Sequence, residues 1–296
     1  MNIEAKIAQS LTVTPRGGTF AAEITGVTLA DRLNDDGLFA ELRALLTDHL
    51  VLFLPGQHLS AEAMCTLASR FGELNILDPS DPRRDAQFPS LGRFITPVPG
   101  KNTHNYSDMW HADFTYQRVP EAIAMFQLVE TPRRGGDTLW SNQYAAFEAL
   151  SHPIKELART LTGVHVFKGL GDTSAKPIEH PIVCRHPHSG REHLYVTSGY
   201  LTHIPQLRRK ESMVLLDYLR EISAQPEFTV RRSHRPGDVV IWDNRCTLHY
   251  GAHDYDPHDR RELWRIGALD NLPIAAAFPE RIAPHFDFSA VTARLV

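Results

Sequence analysis

Beyond residue 120 the chain is a succession of short β-prone segments, and this constrains its fold more than any other feature. Ala122–Val129, Thr138–Trp140, Thr162–Phe167, His193–Thr197, Phe228–Arg232 and Asp238–Trp242 are divided by turn formers such as Pro236-Gly237-Asp238. Helical patches fall between them, at about 142–160 and 206–222. Many short strands with a few covering helices predict a β-sandwich or barrel decorated by helices. The first third of the chain agrees. Leu11–Thr14 and Phe20–Val27 are β-prone, and Leu38, Phe39, Leu42, Leu45 and Leu46 recur on one face of a helix over Asp36–His49. Leu50–Leu54 is an apolar run stopped by Pro55-Gly56, as a buried strand would be. Ser60 can cap a second helix running to about Phe71.

Nothing divides the chain. It has no internal repeat or linker, so a single domain over 1–296 is expected, with 42% hydrophobic residues to build its core. A net charge of −4 argues against nucleic acid or an anionic membrane as partner. No apolar run approaches the roughly 18 residues of a membrane helix, and the first ten residues lack a signal-type apolar stretch. Cys65, Cys184 and Cys246 are odd in number and far apart, so a reducing cytoplasm is the expected compartment. Residues 75–109 are rich in Asp, Pro, Asn and Ser and run straight into Trp110-His111, which marks them as a functional, lid-like insertion. Residues 168–181 form a second candidate lid.

The sharpest local feature is Trp110-His111-Ala112-Asp113. On an extended segment, residues two apart share a face, so His111 and Asp113 can reach one ion. His-x-Asp also arises by chance, and this chain contains a second copy, His285-Phe286-Asp287. That copy has no later histidine to complete a site and reads as a surface turn. His111 has a distant partner in His249, delivered by the strand and turn Val239–Leu248. Two His and one carboxylate suit Fe(II) and leave positions open for substrates. Beyond His249 comes Arg260-Arg261-Glu262-Leu263-Trp264-Arg265, in which Arg261 and Arg265 share a strand face. An inward guanidinium requires an anion, and arginine can fork a carboxylate. A dicarboxylate held by the metal at one end and by the arginine at the other would satisfy both.

These residues resemble the taurine/2,4-dichlorophenoxyacetate dioxygenase (TauD/TfdA) family over nearly the whole chain. The matching stretches are Ala22–Val27, Val51–Gln57, Trp110–Asp113, Gly135-Gly136-Asp137-Thr138, His186–Arg191, Trp242–His249 and the Arg-Arg-x3-Arg block. The resemblance implies a mainly β chain with flanking helices around a double-stranded β-helix (jelly-roll, cupin-like) core. It implies Fe(II) held by His111, Asp113 and His249, and 2-oxoglutarate and O2 as co-substrates. The distal carboxylate of 2-oxoglutarate would meet Arg261 and Thr138, with Arg260 as fallback because the spacing from His249 is one residue longer than in the taurine enzyme. Arg265 matches a position near the co-substrate and the substrate anion. Asn105, Tyr106, Asp108 and Tyr200 match the substrate pocket, with Lys101 and His104 as added anion contacts. The expected reaction oxidises a C–H bond of a small anion, a carboxylate or sulfonate, and releases succinate and CO2. Asp113 in place of a small residue separates the chain from the related halogenases. Asn75–Ser80 replaces the taurine enzyme's own stretch, which argues against taurine itself. A non-catalytic jelly-roll sensing module, or a zinc hydrolase, would leave Thr138 and the arginine block unexplained. The chain could work alone or as a homo-oligomer.

Overall fold

The computed structural model describes residues 11–96, 107–167, 176–270 and 272–287. The chain begins with β1 (Thr12–Pro15), β2 (Ala22–Thr25), α1 (Asp36–His49), β3 (Val51–Leu54), α2 (Ala61–Ser69), β4 (Glu73–Leu74) and β5 (Gly92–Thr96). It continues through β6 (Ile123–Glu130), β7 (Thr138–Asn142), α3 (Gln143–Glu148), α4 (His152–Ala158), β8 (Thr162–His165), β9 (Ile178–Pro181), β10 (Val183–Arg185) and β11 (Glu192–Leu194). Last come β12 (Leu201–His203), α5 (Arg209–Ser223), β13 (Thr229–Arg232), β14 (Val239–Asp243), β15 (Thr247–Gly251) and β16 (Arg261–Leu269).

The large sheet runs β1-β2-β3-β14-β6-β16-β4, with β5 also on β16, and a smaller sheet is ordered β13-β7-β15. Both faces of the large sheet's central strands β3, β14 and β6 are buried. Val239 and Ile241 pack with Leu38, Leu42 and Met64 of α1 and α2, whereas Val240 and Trp242 pack with Trp140 of the small sheet. This two-sided burial is why Leu50–Leu54 and Val239–Trp242 read as unbroken apolar runs rather than alternating ones. A third cluster joins α3, α4 and α5 to β10 and β11 through Phe147, Leu216 and Leu194. The two facing sheets are the expected jelly-roll core.

Helix ends follow local chemistry. The Asp35 carboxylate accepts from Leu38 N–H at 3.0 Å and the Ser60 hydroxyl from Ala63 N–H at 3.1 Å, each satisfying a donor that the first helical turn leaves free. Two strands lie where loops were expected. β5 falls inside 75–109 and pairs with β16 over Gly92–Thr96, and β9 falls inside 168–181 and pairs with β8. Only Phe94 and Ile95 of β5 are large and apolar, so its neighbours in sequence conceal it. The remaining parts of the two candidate lids, 97–106 and 168–175, lie outside the described residues. Among the described residues, no helix is long and apolar enough to cross a membrane.

Candidate metal centre

His111 and His249 are direct cross-strand neighbours. Their backbones exchange both hydrogen bonds, His111 N–H to His249 O at 2.9 Å and His249 N–H to His111 O at 2.7 Å. The imidazoles are thereby side by side, with centroids 4.1 Å apart and planes tilted by 44°. The chain is extended only at His111. Asp113 opens a turn in which Phe114 takes a φ of 56°, and this turn brings the carboxylate back between the rings. Asp113 Oδ2 lies 3.4 Å from His249 Nε2, and Oδ1 lies 3.7 Å from His111 Nε2. The three donor atoms fall within 4.8 Å of one another. His111 Nδ1 sits 2.7 Å from the Met109 carbonyl, which fixes the tautomer and leaves Nε2 free to coordinate. Burial pushes the His249 imidazole down to about 3, with the charge of His111 adding to the effect, so it is the neutral ligand form. Burial alone would raise Asp113, but Arg265 and the two imidazoles hold it well below the usual carboxylate range. Two imidazoles and one carboxylate on one side of an ion fit a divalent transition metal with open positions.

A second buried cluster, His186, Asp243 and Cys246, has donors close enough for an ion. Its groups are already engaged. His186 Nε2 meets Asp243 at 2.9 Å, His186 Nδ1 accepts from Ser189 N–H at 3.1 Å, and Arg245 forks the same aspartate. The second His-x-Asp is a surface feature as expected, with exposed His285 3.1 Å from Glu179.

The Asp113 turn is pinned by residues that sequence reasoning missed. Asn244, fully buried, accepts from Asp113 N–H at 2.9 Å and donates to the carbonyls of Asp113 and Glu121 at 3.0 Å each. Arg265, expected beside an anion of substrate or co-substrate, is bonded instead to two carboxylates of the chain. It donates to Asp113 Oδ2 at 2.8 Å and forks both oxygens of Glu121. Asn75 adds a bond to Glu121 Oε1 at 2.7 Å. The physical reason is Gly267, two residues along the same strand face, since a Cβ there would run into the Glu121 carboxyl group. Gly267→Ala is therefore expected to destabilise the fold by about 1–3 kcal/mol through overpacking. Thermal unfolding checks this, and an unchanged Tm would show that Glu121 does not need the space.

Arg261 takes the inward position and Arg260 the outward one. Arg260 pairs at the surface with Glu130 and Glu262. Arg261 Nε donates to the Gly136 carbonyl at 3.1 Å, and the Arg261 chain packs on Gly136, whose φ of 71° and missing side chain let the strand pass. Burial pulls the Arg261 pKa down, partly opposed by Tyr255 and Asp137. The Asp137 carboxylate, however, is taken by Arg231 at 2.6 Å, and Arg261 has no ion pair among the described residues. Two residues beyond Gly136, the buried Thr138 hydroxyl has no protein partner among the described residues. Tyr200 packs on Tyr116, with ring centroids 5.0 Å apart, and Tyr116 packs on Phe167 at 4.7 Å and Phe114 at 5.8 Å. This aromatic wall borders Asp113, whose charge raises the pKa values of Tyr116 and Tyr200 in addition to burial. Sequence reasoning found Tyr200 but not its ring partners. Asp108 is exposed and faces His253. Asn105, Tyr106, Lys101 and His104 lie outside the described residues.

The profile of the taurine catabolism dioxygenase TauD, TfdA family matches residues 12–266. An (S)-phenoxypropionate/alpha-ketoglutarate-dioxygenase of Delftia acidovorans is 32% identical, covering 86% of this chain and 94% of that protein. An alpha-ketoglutarate-dependent sulfate ester dioxygenase of Pseudomonas putida is 31% identical over 90% of this chain and 92% of its own length. A taurine dioxygenase structure from Burkholderia xenovorans, 30% identical, superposes with a TM-score of 0.81 over 96% of this chain and 98% of its own. With a donor set suited to a divalent metal and a family match across the whole two-sheet core, the chain belongs to the TauD/TfdA family of 2-oxoglutarate-dependent dioxygenases, oxidoreductases that use Fe(II), 2-oxoglutarate and O2.

Proposed function

We propose that this dioxygenase binds Fe(II) through His111, Asp113 and His249, anchors 2-oxoglutarate on Arg261 and Thr138, and oxidises a C–H bond of a small organic anion. The observation that carries this reading is Arg261. A cation drawn from water without an internal counterion is unfavourable unless a ligand supplies the anion, and the fork of arginine matches a carboxylate. The unpartnered Thr138 hydroxyl offers a further donor at the same place. When bound, the metal and co-substrate supply the oxidising power through decarboxylation to succinate and CO2. The chain supplies geometry. Asn244 holds the Asp113 turn, Arg265 and Glu121 set the orientation of the Asp113 carboxylate, and the two sheets keep the pocket dry.

The substrate is placed against the wall of Phe114, Tyr116, Phe167 and Tyr200. Arg83 lies on its flank, since its charge acts on both tyrosines. Arg265 is not assigned to the substrate anion, because two carboxylates already neutralise it. Relatives that act on phenoxypropionate and on sulfate esters support a small anion, and the aromatic wall suits a flat or apolar body attached to it. Succinate release across a panel of sulfonates, sulfate esters, aryloxyalkanoates and N-substituted amino acids, with the oxidised product identified, tests this reading. Turnover of neutral compounds alone would sink the anion assignment.

A further inference from the structure

We propose that His234 is a third anchor for the distal carboxylate of 2-oxoglutarate, acting with Arg261 and Thr138. The inference rests on the co-substrate reading above and concerns a residue that neither the motifs nor the comparisons assign.

His234 follows β13, whose interior stripe is Val230, Arg232 and, two residues on, His234. Arg232 is the register partner of Thr138 on β7. His234 lies two residues beyond this pair, close enough to Arg261 to feel the charge of its guanidinium, and Arg261 itself donates to the Gly136 carbonyl. The ring lies edge-on to Phe126 at 5.3 Å and to Trp140 at 6.1 Å. Those two rings belong to the layer between the sheets, and Trp140 is the register partner of His249. His234 therefore projects into the interior that contains both the metal ligands and Arg261.

Both ring nitrogens of His234 are shielded from solvent and neither has a hydrogen-bond partner among the described residues. The polar groups around it are committed elsewhere. Arg232 pairs with Glu23 at 2.6 Å. The Asp238 carboxylate accepts from Gly56 N–H at 3.1 Å and Arg235 N–H at 3.0 Å. Burial, with the charges of Arg261 and Arg232, pushes the imidazole down to about 3. It is therefore a neutral ring with one N–H to donate.

A purely structural ring in this place would be better served by phenylalanine. The same aromatic packing would survive, and two buried unsatisfied nitrogens, each destabilising, would disappear. A polar ring kept at a loss of stability near a guanidinium with no ion pair and a hydroxyl with no partner among the described residues points to a binding site. The three groups together offer a carboxylate the fork of Arg261, the hydroxyl of Thr138 and an imidazole N–H.

Calorimetric titration of 2-oxoglutarate into the Mn(II)-loaded full-length protein tests the assignment. His234→Phe is expected to weaken binding roughly 10- to 100-fold, the loss of one hydrogen bond to a charged group, while the Tm of the ligand-free protein stays level or rises. His234→Gln, which restores an N–H donor, is expected to recover part of the affinity. Unchanged affinity in His234→Phe would overturn the proposal. A fall in Tm in both variants, in step with affinity, would also overturn it, because the ring would then be structural. Failure of the unaltered protein to bind 2-oxoglutarate is a separate result, which would remove the co-substrate reading itself.

Discussion

Asp113→Ala is expected to abolish metal binding while leaving the fold intact. Asp113 is the sole carboxylate facing both imidazoles among the described residues, and it brings the only negative charge to the donor set. Losing an outer partner of a metal ligand typically weakens binding by about 10- to 100-fold, and losing the ligand itself should exceed that range. The fold should survive for a reason specific to this site. Arg265 sits between two carboxylates, so removing Asp113 still leaves it paired with Glu121. No buried charge is stranded, and breaking up a buried pair is harmful chiefly when it strands one. Two measurements separate the effects. Anaerobic addition of Fe(II) and 2-oxoglutarate should give a visible metal-to-ligand charge-transfer band in the unaltered protein and none in the variant. Saturating Mn(II) should raise the Tm of the unaltered protein, since ligand at about 100 times its Kd stabilises by about 2.7 kcal/mol, and should leave the variant where it was. A variant that keeps the band would show that Asp113 is not a ligand.

How far the site could be read from sequence depended on whether a residue acts through spacing or through register. His111 and Asp113 are two apart and His249 follows a conspicuous apolar strand and its turn, so chemistry and pattern coincide there. The paired faces of the large sheet were legible for a similar reason. Runs such as Val51–Leu54 are buried on both sides, and burial is what an unbroken apolar run reports. Glu121 and Gly267 gave no such signal. A glutamate after a proline resembles a loop residue, and a glycine in a strand resembles a bulge. Only the pairing of β16 with β6, which aligns Gly267 with Ala124 and Arg265 with Phe126, reveals a pocket cut for a carboxylate. The same holds for Asn244, whose amide bridges segments 131 residues apart in the chain. Arg265 shows how the two kinds of information diverge. Its strand position was correctly placed on the inner face, but its partner depends on a glycine and a glutamate that no local pattern connects to it.

Arg261→Met should separate stability from binding in opposite directions. In the ligand-free protein Arg261 bonds to the Gly136 carbonyl and has no carboxylate partner among the described residues. Replacing it by an unbranched apolar chain of similar length removes an uncompensated cation and keeps the packing on Gly136, so the Tm should rise or hold. Affinity for 2-oxoglutarate should collapse. Truncating one side of a buried charge pair is worth about 2–5 kcal/mol, which at about 1.4 kcal/mol per tenfold is a loss of roughly 30-fold to several thousand-fold in Kd. Arg261→Lys should fall between, because it keeps the charge and loses the fork. Metal affinity without co-substrate should be unaffected, since Arg261 lies four strand residues from Arg265, about 13 Å along β16, and only Arg265 reaches the Asp113 carboxylate. This combination discriminates between explanations. An arginine needed for folding would lower Tm and affinity together, and an arginine at an idle surface would change neither. Only an arginine waiting for an anion gives a protein that is at least as stable empty and far weaker at holding its co-substrate. If Arg261→Met bound 2-oxoglutarate as tightly as the unaltered protein, the distal carboxylate would have to be held elsewhere, and the assignment of Thr138 beside it would fail as well.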